Sequence, residues 1–262
     1  LWEQRIPVIL TSGTLKAGND FHPVMEKTGL DSLSNVQTYS APSPFDYKRN
    51  CLLYFPESSK GKPHGSDSES KRIAKEILRL VKDQMPVPLM EVWRNSQDTI
   101  RRFKREQNAV LFAAGSCWEG IDFPGDIVSS LIIPRLPFPV PDPIREAQQA
   151  NYMTLQDYIN AVIVPEMQVK LRQGFGRAIR TETDTCVVSI LDHRAAPGGK
   201  YHREVMEALP PVPVTRQIED IEQFIRARKG PDYFFVYGRE QMCLETEKCE
   251  RFGFTAGAEG RV

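Results

Sequence analysis

Short runs of β-branched and aliphatic residues recur along the chain, each closed off by Gly, Pro or Ser. They fall at residues 7–11, 51–55, 109–113, 130–133 and 186–191. Their apolar positions are consecutive rather than alternate, the pattern of a strand covered on both faces in a parallel sheet. Between them the spacing turns helical. Residues 71–82 place Ile73, Ile77, Leu78 and Val81 on one stripe, and residues 143–163 and 165–180 predict two further helices separated near Pro165. Strand alternating with helix predicts an α/β architecture, a doubly wound parallel sheet with helices on both faces plus an inserted or appended helical segment. Residues 58–70 are rich in Gly, Ser and charge and predict an exposed loop, while three prolines within residues 210–213 end a helix and turn the chain. The expected organisation is one domain over residues 1–230 and an extension over 231–262, the latter opening on the aromatic group Tyr233-Phe234-Phe235-Val236-Tyr237.

Composition adds limits. The 262 residues are 40% hydrophobic, enough for a core of their own, and 34 basic against 34 acidic residues give no net charge. A polybasic tail is excluded, whereas a local basic groove is not. The longest apolar runs are a handful of residues, against the ~20 that span a bilayer, so no membrane partner is expected. Cys51, Cys117, Cys186, Cys243 and Cys249 are odd in number and form no C-x-x-C pair. Reduced thiols in a cytoplasmic protein are the expectation, and His22, His64, His193 and His202 show no metal-ligand spacing. The chain opens on Leu1-Trp2-Glu3 without an initiator Met or a signal segment, and is expected to be part of a longer protein.

Two stretches carry candidate chemistry. In the helix expected over 165–180, Met167, Leu171, Phe175 and Ile179 form the buried stripe, and Gln173, Arg177 and Arg180 share another face. Gly174 and Gly176 keep that face low. No acid stands between Glu166 and Glu182, while Lys170, Arg172, Arg177 and Arg180 supply four positive charges. A guanidinium fork matches phosphate oxygens, although a solvated basic face would use the same residues. The second stretch, Gly115-Ser116-Cys117-Trp118-Glu119-Gly120-Ile121-Asp122, directly follows a predicted strand, where α/β sheets open their ligand crevice. A turn with a helix cap is its plain alternative. A third basic cluster runs over residues 94–105, with Trp93 and Phe103 interleaved. It suits a single-strand track, or an amphipathic helix with Ile100 and Phe103 inward.

These residues resemble the superfamily-two helicases related to DinG and XPD. Gly115 to Asp122 is similar to motif V, and Gln173-Gly174-Phe175-Gly176-Arg177-Ala178-Ile179-Arg180 to motif VI. Thr11-Ser12-Gly13-Thr14-Leu15 resembles the Thr-Ser-Ala-Thr-Leu segment leading into the second motor domain, and Leu136-Pro137-Phe138 the Leu-Pro-Phe segment of the DinG branch. Gln173-Gly174, where RNA helicases carry His-Arg or Gln-Arg, points to that DNA-directed branch. The resemblance implies a RecA-like fold and the second motor domain of an ATP-dependent DNA helicase serving repair or replication.

It also implies roles. Arg177 and Arg180 would be arginine fingers on the ATP γ-phosphate, and Gln173 would orient the attacking water. Gly120, Asp122 and Glu119 would face the nucleotide. Thr11, Ser12, Thr14, Gly115 and Ser116 would lie by DNA, expected to be single-stranded. No Gly-x-x-x-x-Gly-Lys-Ser/Thr loop, Asp-Glu-x-His motif or iron–sulfur cysteine cluster occurs in the sequence. ATP and Mg2+ would therefore need the first RecA-like domain of the same polypeptide, and this chain would bind no metal. The stretch after residue 82 lacks the family's Leu-Val-Leu-Phe-Thr-Ser strand, replaced by residues 87–93 or absent. The competing expectation is a non-catalytic RecA-like module that binds nucleic acid or a partner protein.

Overall fold

Four of the five apolar runs become strands in the computed structural model, which describes residues 7–18, 20–57, 67–81, 88–92, 97–106, 109–113 and 121–230. Strand β1 (Cys51–Tyr54) pairs in parallel with β5 (Cys186–Ile190) on one side and β6 (Val214–Thr215) on the other. Strand β4 (Ser130–Ile133) lies outside β5, giving the all-parallel order β4-β5-β1-β6. Every residue of β1 and β5 is buried, which explains their unbroken apolar runs. Pro213 meets the sheet only through its carbonyl, which accepts from the Leu53 N–H at 2.9 Å, so its missing donor costs nothing on this edge strand.

Two short helices, α1 (His22–Thr28) and α2 (Tyr47–Asn50), precede β1, and both faces of the sheet are covered. Cys51, Leu53, Phe55, Cys186, Val188 and Ile190 pack against α7 (Val164–Phe175) and α8 (His202–Ala208). Leu52, Tyr54 and Val187 face Leu80 of α3 (Asp67–Val81) and Ile221, Phe224 and Ile225 of α9 (Ile218–Arg228). Cys51 and Cys186 are register partners and free thiols, and burial pushes the Cys51 thiol up to about 12 and that of Cys186 well above its ordinary value.

The structure corrects several expectations. The single sheet is two among the described residues: β2 (Leu89–Glu91) and β3 (Val110–Phe112) form a separate parallel pair. Within the stretch expected at 87–93, Leu89–Glu91 thus supply a strand, but it pairs with β3 rather than joining the main sheet. Residues 7–11 stay outside any ladder among the described residues, and Ile9 is 89% exposed, because no strand here offers them a partner. Residues 67–70, expected in a loop, open α3.

The buried face of α3 also differs from the apolar stripe. Leu78 is half exposed, and Glu69 and Glu76 point inward beside Ile73. Each buried carboxylate has partners: Glu76 accepts from the Tyr54 hydroxyl at 2.7 Å and pairs with Arg79, and Glu69 meets His193 at 3.2 Å and Arg135 at 3.7 Å. Residues 143–163 divide into α5 (Pro143–Gln149) and α6 (Leu155–Tyr158), the latter capped by the Thr154 hydroxyl. The break expected at Pro165 does not occur. A π-turn over Ile159–Ile163, closed by the Val164 N–H to the Ile159 carbonyl, feeds directly into α7, with Pro165 just after the π-turn. The extension over 231–262, its aromatic group, and Cys117, Cys243 and Cys249 lie outside the described residues.

Candidate functional site

Helix α7 lays Met167, Leu171 and Phe175 on the sheet, each at most 2% exposed. It ends one turn earlier than expected. Gly176 N–H bonds to the Arg172 carbonyl, but Arg177 and Ala178 donate to Gly174 and Phe175, three residues back. This tightening satisfies the last turn while Ala178 and Ile179 are driven into the core, 3% and 1% exposed. Arg177 and Arg180 therefore stand on a turn beyond the helix rather than on the face of a continuous one.

The turn meets the segment after β3. Arg177 Nη1 donates to the Ile121 carbonyl, and Arg180 Nε lies 2.8 Å from Asp122 Oδ1. On α7 itself, Gln173 Nε2 donates to Thr14 Oγ1 at 3.5 Å, and the Thr14 N–H bonds back to Ser12 Oγ at 3.2 Å. The Gln173 Oε1 atom is buried and, among the described residues, accepts no hydrogen bond. Three separate pieces of the sequence, 12–14, 121–122 and 173–180, thus converge. Thr11 is exposed and is not brought to Gln173, Arg177 or Arg180 by any described contact. Gly115, Ser116, Glu119 and Gly120 lie outside the described residues.

The acid-free basic stretch is less bare than its sequence implies. Lys170 pairs with Glu166 at 3.4 Å, and Arg145 grips the same carboxylate with two bonds of 2.7 and 3.0 Å. Burial pushes Glu166 up, but Arg145 and Lys170 outweigh it and hold the carboxyl low. Arg172 donates to the carbonyls of Ala208, Lys16 and Gly18 at 2.9, 2.8 and 2.7 Å. It caps the C-terminus of α8 and straps the segment after Thr14 onto α7. Asp192-His193-Arg194 is a capped turn: Asp192 accepts from the Leu136 and Arg194 N–H groups and from the Arg194 guanidinium. That guanidinium also lies 4.8 Å from the Phe138 ring, so the turn holds the Leu-Pro-Phe segment in place.

Helix α4 (Gln97–Arg105) carries most of the third basic cluster. Arg101 pairs with Asp98 and Arg102 with Glu106, while Phe103 meets Phe123 edge-on at 5.7 Å. This is the amphipathic reading. Arg94 and Trp93 lie outside the described residues, and among those described no cluster of His, Cys, Asp or Glu could hold a metal ion. No helix there is long and apolar enough to cross a membrane.

Sequence reasoning counted Arg172 only as a basic charge and missed Asp126 and Asp184. Only one sign marked Asp184: an acid four residues beyond Arg180, in a Thr-rich turn preceding a strand, is placed to accept backbone N–H bonds.

The profile of the helicase C-terminal domain family matches residues 66–212, and the chain belongs to that family. The chain is similar to DNA helicases of the DinG type. It is 30% identical over 243 residues to the ATP-dependent DNA helicase DinG of Photobacterium profundum, covering 80% of this chain and 35% of that protein. It is 29% identical over 245 residues to the ATP-dependent DNA helicase YoaA of Escherichia coli, covering 83% and 37%. A solved XPD helicase structure overlays on 63% of this chain and 36% of its own, with 18% identity and a TM-score of 0.41. The chain spans about a third of the length of the curated relatives it matches.

Proposed function

We propose that this chain is the second motor domain of an ATP-dependent DNA helicase and completes an ATP site shared with a first RecA-like domain of the same polypeptide. The carrying observation is that Arg177 and Arg180, just beyond the end of α7, meet Ile121 and Asp122 while Gln173 on α7 meets Thr14. In this reading Arg177 and Arg180 leave Ile121 and Asp122 for the γ-phosphate oxygens when the domains close. There they stabilise the charge that develops as water attacks phosphorus and the bond to the β-phosphate oxygen breaks. The Gln173 Oε1 atom, which meets no donor among the described residues, fits an acceptor for a proton of that water. A magnesium ion would neutralise phosphate charge, with ligands from the domain that carries the P-loop. Asp122, Gly120 and Glu119 would line the nucleotide side.

Single-stranded DNA would run past Thr11, Ser12, Thr14, Gly115 and Ser116, the track that the resemblance implies. The Ser12–Thr14–Gln173 hydrogen-bonded chain supports a link from that track to the ATP residues. A role in DNA repair or replication follows from the same reading.

Arg177→Ala in the full-length protein tests the assignment. ATP turnover should fall at least a hundredfold while nucleotide Kd changes less than about threefold, since a finger acts in the transition state. Equal losses in both would remove Arg177 from that role.

A further inference from the structure

Arg180 is held by its backbone as well as its side chain, and the group that holds the backbone is Asp184. Oδ2 of Asp184 accepts from the Arg180 N–H at 2.7 Å and from the Thr181 N–H at 2.8 Å. Oδ1 accepts from the Thr181 hydroxyl and from the Asp126 N–H at 2.7 Å. The carboxylate is 2% exposed and has an acceptor site filled from each direction. Asp126 returns the contact: its Oδ1 accepts from the Thr185 N–H at 2.7 Å and hydroxyl at 3.2 Å, and its Oδ2 lies 2.5 Å from Lys229 Nζ. The exchange depends on a turn in which Gly125 (φ 85°) and Asp126 (φ 63°) are both left-handed, a conformation Asp tolerates when its side chain bonds locally. Two loops are thereby fastened to each other. One leads from Asp122 into β4, and the other leads from Arg180 into β5.

We propose that Asp184 is the positioning residue for Arg180. With Asp126 it forms a clasp that fixes the distance between the loop bearing Asp122 and the turn bearing Arg180. This rests on the assignment of Arg180 as an arginine finger. A long side chain reaches a phosphate reproducibly only from a fixed Cα, and Arg180 stands outside the helix, where no i→i−4 ladder fixes it. Asp184 supplies the missing constraint without touching the reacting groups.

The test has two arms. In the 262-residue chain, Asp184→Asn should speed amide hydrogen exchange at Arg180, Thr181 and Asp126 about tenfold, leaving β5 and α7 unchanged. A uniform change across the domain, or none at Arg180 and Thr181, overturns the clasp. In the full-length protein Asp184→Asn should lower kcat for ATP about tenfold at unchanged KM, and no further when Arg180→Ala is already present. Multiplicative losses would make Asp184 a structural residue only. Thr181→Val, which removes one donor and leaves both backbone bonds, should give a smaller kcat loss that again vanishes beside Arg180→Ala, so the proposal stays testable if Asp184→Asn does not fold. If Arg180→Ala alone leaves turnover intact, the finger assignment fails, while the exchange arm still decides whether the clasp exists.

Discussion

A carboxylate withdrawn from water is tolerated only where donors replace the solvent, and Asp192 shows how completely this chain replaces it. The residue is 1% exposed, yet both oxygens accept charge-assisted or backbone bonds from Arg194 and Leu136. Burial pushes its carboxyl up, but the Arg194 guanidinium and the two N–H groups outweigh that and hold it below the usual carboxylate range. A depressed folded-state value means stability that is fully present above the unfolded value of about 3.9 and is lost as pH falls through the folded one. Asp192→Asn should therefore cost about 2–3 kcal/mol at pH 7 and flatten the acid limb below about pH 4. Urea midpoints at pH 7, 4 and 3 measure this. Asp184 and Glu166 are also held low, so the slope should shrink rather than vanish, and parallel curves for the two proteins would refute the assignment.

Among the elements, α7 does two jobs through one guanidinium. Arg172 joins the C-terminus of α8 to the carbonyls of Lys16 and Gly18, and burial pulls its pKa down without removing the charge. Gly18 (φ 56°) lies so close to α7 that a Cβ there would meet the Gln168 side chain at 3.4 Å. Residues 16–18 are thus fixed against α7. Arg172→Met keeps the stem and strands three acceptors, so it should destabilise by about 3 kcal/mol and speed proteolysis near residues 14–18. A loss under about 0.5 kcal/mol would show that water replaces the guanidinium.

The same helix shows what the sequence could and could not reveal. Its buried stripe was legible because Met167, Leu171 and Phe175 obey helical spacing. Its end was not, since nothing in Gly174 to Ile179 distinguishes another α-turn from a tight one until the core claims Ala178 and Ile179. In α3 the stripe misled because Glu69 and Glu76 are buried by partners from distant segments, Tyr54, Arg135 and His193. Gln173, Arg177 and Arg180 could be singled out from their spacing, whereas Asp126 and Asp184 could not, because their contact exists only once two loops 58 residues apart are brought together.

For the whole molecule, zero net charge conceals a local arrangement rather than a bare basic patch. Lys170 and Arg172 are spent on Glu166 and on backbone carbonyls, which leaves Arg177 and Arg180 at the face shared with residues 121–122. Arginines can stabilise a transition state but cannot by themselves hold the nucleotide. The sequence contains no Gly-x-x-x-x-Gly-Lys-Ser/Thr loop to cradle its phosphates. The purified 262-residue chain should therefore hydrolyse ATP no faster than buffer, with or without single-stranded DNA, in a coupled phosphate-release assay. Turnover on the order of 1 s⁻¹, within the range of a working phosphoryl-transfer enzyme, would mean that the chain holds a complete site. The same activity surviving Arg177→Ala would place that site away from α7 altogether. Absence of turnover here, together with its loss on Arg177→Ala in the full-length protein, is the joint outcome that an ATP site divided between two domains requires.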